Sequence, residues 1–115
     1  YEIGSGEPLP TEPYEPAAFF GAMLATGLMP ALFEEWAFRG LILQRFRRVM
    51  TAQSAIALQA MMFAVMHADR ENTVSHFLFG IVAGGMRVKA TVLWPCMLLH
   101  FLWNGAWVLR DYGIV

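Results

Sequence analysis

The sequence predicts an all-α, polytopic bundle of about four transmembrane helices, and three observations predict it. Of its 115 residues, 57% are hydrophobic and 15% are charged, with a mean hydropathy of +0.47. A soluble domain carries about 25% charged residues, because its surface has to face water. Eight Met, nine Phe and four Trp are more bulk than a 12.9 kDa globule can hide in one core. The basic residues, finally, sort into alternate turns of the apolar segments.

Residues 1–16 differ from all that follows. They hold Pro8, Pro10, Pro13 and Pro16 with Glu2, Glu7, Glu12 and Glu15, and no basic residue. Such a stretch has little to bury and reads as an extended, solvated, acidic tail. Residues 17–115 form the expected transmembrane core. Its four apolar segments cover residues 17–48, 51–67, 73–89 and 91–109. The second and third, at about 17 residues, are at the short end of what spans a ~30 Å hydrocarbon layer. Helices satisfy their own backbone in lipid, so each segment is expected to be one. Gly80 and Gly84 at GxxxG spacing, and Ala17 with Gly21, are candidates for close helix–helix approach.

Charge placement orients the bundle. Arg45, Arg47 and Arg48 lie in the first turn and Arg87 and Lys89 in the third, against Arg70 and Arg110 on the other side. The richer side is expected to be cytoplasmic, with the tail and C-terminus opposite. The expected location is therefore an integral, multi-pass position in a cell membrane of bacterial type, with the bilayer itself as a partner. A net charge of −1 and a pI near 6.3 leave no basic footprint for nucleic acid. Cys96 is the single cysteine, which excludes a disulfide framework. The chain opens at Tyr1 without a Met or a signal pattern, so a fragment of a larger bundle, or a processed form, is expected.

Ionisable groups in transmembrane segments cost about 2.5–3.5 kcal/mol each on insertion scales, so each needs a reason. Counted at about 1.5 Å per residue from the cytoplasmic turns, Glu34 lies roughly 16 Å deep, His67 24 Å, His100 13 Å and Asn104 19 Å. Three helices thus bring a carboxylate, two imidazoles and an amide to a broadly similar depth. Glu35 with Arg39, Phe63 with His67, and His100 with Asn104 are each i,i+4 and share a helix face. Pro30 lies one turn before Glu34, and Pro95 five residues before His100. A proline frees a carbonyl and bends a helix, making room for water beside the cluster. Each feature has a structural reading. A Glu–Arg pair is often a clamp, a lone His often bonds a carbonyl, and His76 reads as structural. Their coincidence at one depth points to a site instead.

A carboxylate in a dry site serves as general base toward a trapped water. A neighbouring imidazole orients that water or passes a proton to a leaving amine. A second imidazole with an amide suits an oxyanion hole. Glu34 with His67, facing His100 with Asn104, supplies these parts for peptide hydrolysis without a covalent nucleophile.

The same residues carry a resemblance. Residues 34–39 (EEWAFR) match EExxxR, residues 63–67 (FAVMH) match FxxxH, and residues 100–104 (HFLWN) match HxxxN. In this order, in hydrophobic helices, they resemble the three motifs of the CAAX protease and bacteriocin-processing (CPBP, or Abi) family. The resemblance covers about residues 17–110, including a Gly-rich helix, a basic turn and Leu93-Trp94-Pro95 before the His. It implies a glutamate-type intramembrane endopeptidase. It assigns Glu34 as the base with His67, and His100 with Asn104 as oxyanion stabilisers, with Glu35 and Arg39 supporting the first motif. No metal or other cofactor is expected, and the substrate is a membrane-associated protein or peptide.

Three rivals remain at this point. Glu34, His67 and His100 are also a His₂Glu set of the catalytic zinc type. Cys96, His100 and Asn104 share a stripe that superficially suits a cysteine protease, although a thiol in lipid is scarcely ionised. A non-catalytic scaffold or immunity-type protein of the same fold is the third.

Overall fold

Four helices, and no strand, are found among residues 15–115, which are those described by the computed structural model. They are α1 (Pro16–Phe46), α2 (Ala52–Met66), α3 (Thr73–Ala90) and α4 (Trp94–Asp111). The expected segments match them within a few residues. The expected acidic tail lies outside the described residues up to residue 14, and Pro16 opens α1. Thr51 caps α2 by accepting the Ser54 N–H at 3.2 Å. Pro95 proves to sit in the first turn of α4. There the missing N–H costs nothing, so this proline starts a helix and does not bend one.

One helix among the described residues, α1, is long and apolar enough to cross a membrane; α2 is a shorter apolar helix. At about 1.5 Å per residue, the 31 residues of α1 extend ~46 Å. The helix is not uniform. Met23–Leu28 and Trp36–Ile42 are wound as π-helix, and the α-helical stretch Met29–Glu35 between them carries Pro30, Glu34 and Glu35. Wide turns of this kind re-aim side chains and often flank functional groups.

Glycines set the closest approaches. A Cβ on Gly80 would lie 2.7 Å from both Cα and Cβ of Ala60, and one on Gly84 would lie 2.6 Å from Gln59 Nε2. The GxxxG of α3 is therefore the seam of the α2–α3 hairpin. Gln59, fully buried, locks it by donating from Nε2 to the Gly80 carbonyl at 2.7 Å. The Ala17/Gly21 pair does not do the same, since Gly21 faces open space. Close contact between α1 and α4 falls at Gly27, against the Phe101 ring, and at Gly105, against Met23. Gly80→Ala is expected to cost about 1–3 kcal/mol through overpacking, whereas Gly21→Ala should be neutral or stabilising by about 0.5–1 kcal/mol. Reversible unfolding in mixed micelles compares the two. Equal effects would refute the seam.

The apolar core is small. Phe38, Phe63, Phe79 and Ala83 form it, with Ala37, Ile42 and Leu99 packed against it. Large apolar side chains point outward from all four helices, among them Phe33 on α1, Val65 on α2, Leu78 on α3 and Leu102 on α4. The polar groups described next lie beside this core.

Candidate active site

Glu34 and Glu35 leave α1 in different directions, and each has its own task. Glu35 is fully buried, and its Oε1 accepts from Arg39 Nη1 at 2.7 Å and from His100 Nδ1 at 2.7 Å. Arg39 is equally buried, with its guanidinium 4.5 Å from the Phe63 ring centre and 5.4 Å from that of Phe79. The pair thus sits within the aromatic core, with cation–π contacts worth ~2 kcal/mol where water is excluded. Glu34 is only partly buried. Its Oε2 lies 3.5 Å from His67 Nε2 and 3.7 Å from His100 Nε2. Carboxylate and imidazoles from α1, α4 and the C-terminal end of α2 therefore meet at one point. Counting along straight rods sets the two histidines about 11 Å apart in depth; the packing of the helices removes that gap.

The partners of the imidazoles fix their tautomers. His67 Nδ1 lies 2.8 Å from the Phe63 carbonyl, which can only accept, so Nδ1 carries the hydrogen. His100 Nδ1 faces the Glu35 carboxylate in the same way. In their neutral forms both rings then turn an Nε2 lone pair toward Glu34 Oε2. In that form three acceptors converge, and a water bound alongside them would have more than one of them to donate to.

Asn104 lies one turn beyond His100, and its Nδ2 donates to the Thr26 carbonyl at 2.9 Å. Thr26 is four residues before Pro30, which has no N–H to offer it. Asn104 thus ties α4 to α1 where the proline interrupts the helix, and its second N–H remains available. Cys96 is fully buried, and its thiol donates to the Ala83 carbonyl at 3.3 Å, across the α3–α4 contact. Its thiol is a packing group.

Two features of the site exceed the sequence reading. Glu35 holds His100 directly as well as supporting Arg39. His76, read as structural, stacks on His67 with ring centres 4.2 Å apart and planes at 24°. Neither has a local sequence signal, since both pairings join distant segments. The loop between α2 and α3 is closed by Asp69, which accepts from the Asn72 side chain at 2.8 Å and from the backbone N–H groups of Glu71 and Asn72 at 3.2 Å. The Asn72 amide, foremost, and these backbone donors hold the Asp69 carboxyl below the usual carboxylate range. Among the described residues, no three His, Cys, Asp or Glu side chains are grouped in a way that could hold a metal ion.

Comparison with family models gives the class, an all-helical protease core of the CAAX type. The chain belongs to the family described as type II CAAX prenyl endopeptidase Rce1-like, whose model matches residues 16–106. The match runs from the first residue of α1 to beyond Asn104, so it includes every residue of the cluster. No curated protein and no solved structure matched.

Proposed function

We propose that the chain is a polytopic intramembrane endopeptidase that hydrolyses a peptide bond near the membrane-associated end of its substrate, using water activated by Glu34. The observation that carries this reading is the approach of Glu34 Oε2 to the Nε2 atoms of both His67 and His100, whose Nδ1 atoms are anchored elsewhere. Apolar side chains facing outward from all four helices support a lipid environment for the whole bundle, and the basic residues Arg45, Arg47, Arg48, Arg87 and Lys89 favour a non-cytoplasmic C-terminus.

In the reaction, a water bound alongside Glu34 and the imidazoles attacks the scissile carbonyl and gives a proton to Glu34. The carbonyl oxygen becomes an oxyanion. His100, having taken a second proton from solvent onto Nε2 before the attack, donates to it from there as an imidazolium whose charge lies beside Glu35, and Asn104 donates with its second N–H. Collapse of the tetrahedral intermediate breaks the C–N bond; the proton that Glu34 took from the water passes to His67 Nε2 and from there to the leaving amine, which returns Glu34 to its carboxylate form. No side chain bonds covalently to the substrate, and no metal takes part. The family description points to a prenylated C-terminal CAAX sequence as the substrate class.

The test is cleavage of a fluorogenic peptide ending in a prenylated cysteine, two aliphatic residues and one variable last residue, by protein reconstituted in nanodiscs. Cleavage is expected to survive strong chelators and Cys96→Ser. Loss on chelation, with recovery on adding zinc, would favour Glu34, His67 and His100 as metal ligands instead. Asn104→Ala should lower kcat by about 10²–10³, the effect of removing one oxyanion donor. Unchanged kcat would leave Asn104 only its tie to Thr26.

A further inference from the structure

His67 is the less firmly held of the two imidazoles at the site. Helix α2 ends at Met66, and Ala68 already turns away with φ of +50°. His100 is buried and bonded to Glu35, whereas His67 Nδ1 is bonded to the carbonyl of its own preceding turn. One such hydrogen bond from an end residue leaves a ring free to swing about that contact. Two other rings pack against it instead. The Phe63 ring lies with its centre 4.3 Å away, tilted by 51°, and the His76 ring lies nearly parallel at 4.2 Å.

His76 is itself held. It stands in the first turn of α3, and its Nδ1 donates to the Asn72 carbonyl at 2.8 Å. Asn72 belongs to the loop closed by Asp69, and Thr73 Oγ1 adds a bond to the Asp69 carbonyl at 2.6 Å. A chain of short contacts therefore runs from the α2–α3 loop through His76 onto the plane of His67. We infer that, within the hydrolase proposed above, His76 is a positioning residue: its flat ring, together with Phe63, clamps His67 so that Nε2 stays aimed at Glu34.

The inference predicts that the plane of residue 76 matters and its ability to carry a proton does not. His76→Ala removes the clamp, His76→Gln restores only polarity, and His76→Phe restores only the flat ring. Misplacing a reacting group by ~1 Å can cost ~10²-fold in rate, so His76→Ala and His76→Gln should lower kcat by about tenfold or more at nearly unchanged KM. His76→Phe should return kcat to within about threefold of the wild type, as aromatic stacking needs no proton. The substrate is the prenylated CAAX peptide described above, with the full chain in nanodiscs. Nitrogen NMR of imidazole-labelled protein reads the clamp without any turnover. His67 is expected to show one Nδ1–H tautomer in the wild type and His76→Phe, and mixed tautomers in His76→Ala and His76→Gln. Unchanged His67 signals in His76→Ala, or a His76→Phe variant as slow as His76→Ala, would overturn the positioning role. If the wild type cleaves no peptide, the hydrolase reading fails, while the His67 spectra still decide the clamp.

Discussion

Glu34→Gln is expected to lower kcat/KM on a prenylated CAAX peptide by about 10²–10⁴-fold, the range of a lost general base, while the protein inserts and unfolds as the wild type does. The geometry explains why these two outcomes separate. Glu34 Oε2 faces two imidazole nitrogens at 3.5 and 3.7 Å, while the side chain as a whole is partly exposed and makes no ion pair with Arg39. A glutamine amide has nearly the same shape, and its N–H can donate to either Nε2, so the fold loses nothing. What it cannot do is accept a proton from water. A scaffold of the same architecture would tolerate the change with no effect. A variant that fails to accumulate in membranes would show that Glu34 is a structural group and remove the site.

Arg39→Leu should give the largest change in stability, a loss of about 3–5 kcal/mol. Both Arg39 and Glu35 have no exposed surface, and the 2.7 Å bond between them lies against two aromatic rings. Removing the cation leaves the fully buried Glu35 carboxylate without Arg39 as its counter-charge. Replacing both charges, as Glu35→Gln with Arg39→Leu, should recover most of the loss, because neither uncompensated ion is then buried. The double variant should still be a poor enzyme, since the introduced amide offers His100 Nδ1 a weaker, uncharged acceptor. Unfolding in mixed micelles measures the first effect and peptide cleavage the second. A loss below about 1 kcal/mol for Arg39→Leu would mean that water reaches the pair, as it does for exposed ion pairs.

The residues that meet at the site were legible because lipid makes polar side chains conspicuous. Glu34, His67 and His100 stand out in apolar segments, and the spacing of each with its neighbour gave its helix face. Helix limits were legible to within a few residues from the apolar runs and the basic turns, whereas Pro95, which reads as a bend, opens α4 instead. What the sequence could not show was the pairing between helices. Gly80 and Gly84 carry the same signature as Ala17 and Gly21, yet only the former meet a neighbouring helix closely, because α2 happens to present Ala60 and Gln59 there. Likewise, His76 became part of the site only when the α2–α3 loop brought its ring onto His67. The direction of Asn104 toward Thr26 depends on how α4 crosses α1 at Pro30, which no single-helix periodicity records.

In the proposed reaction Glu34 activates water and does not itself attack the substrate. A single turnover of the prenylated CAAX peptide in H₂¹⁸O, with protein in excess and mass analysis of the new carboxyl terminus, tests this. Water attack predicts one ¹⁸O in the product from the first turnover. A first-turnover product with only ¹⁶O would contradict it, since that oxygen would have come from an enzyme carboxylate.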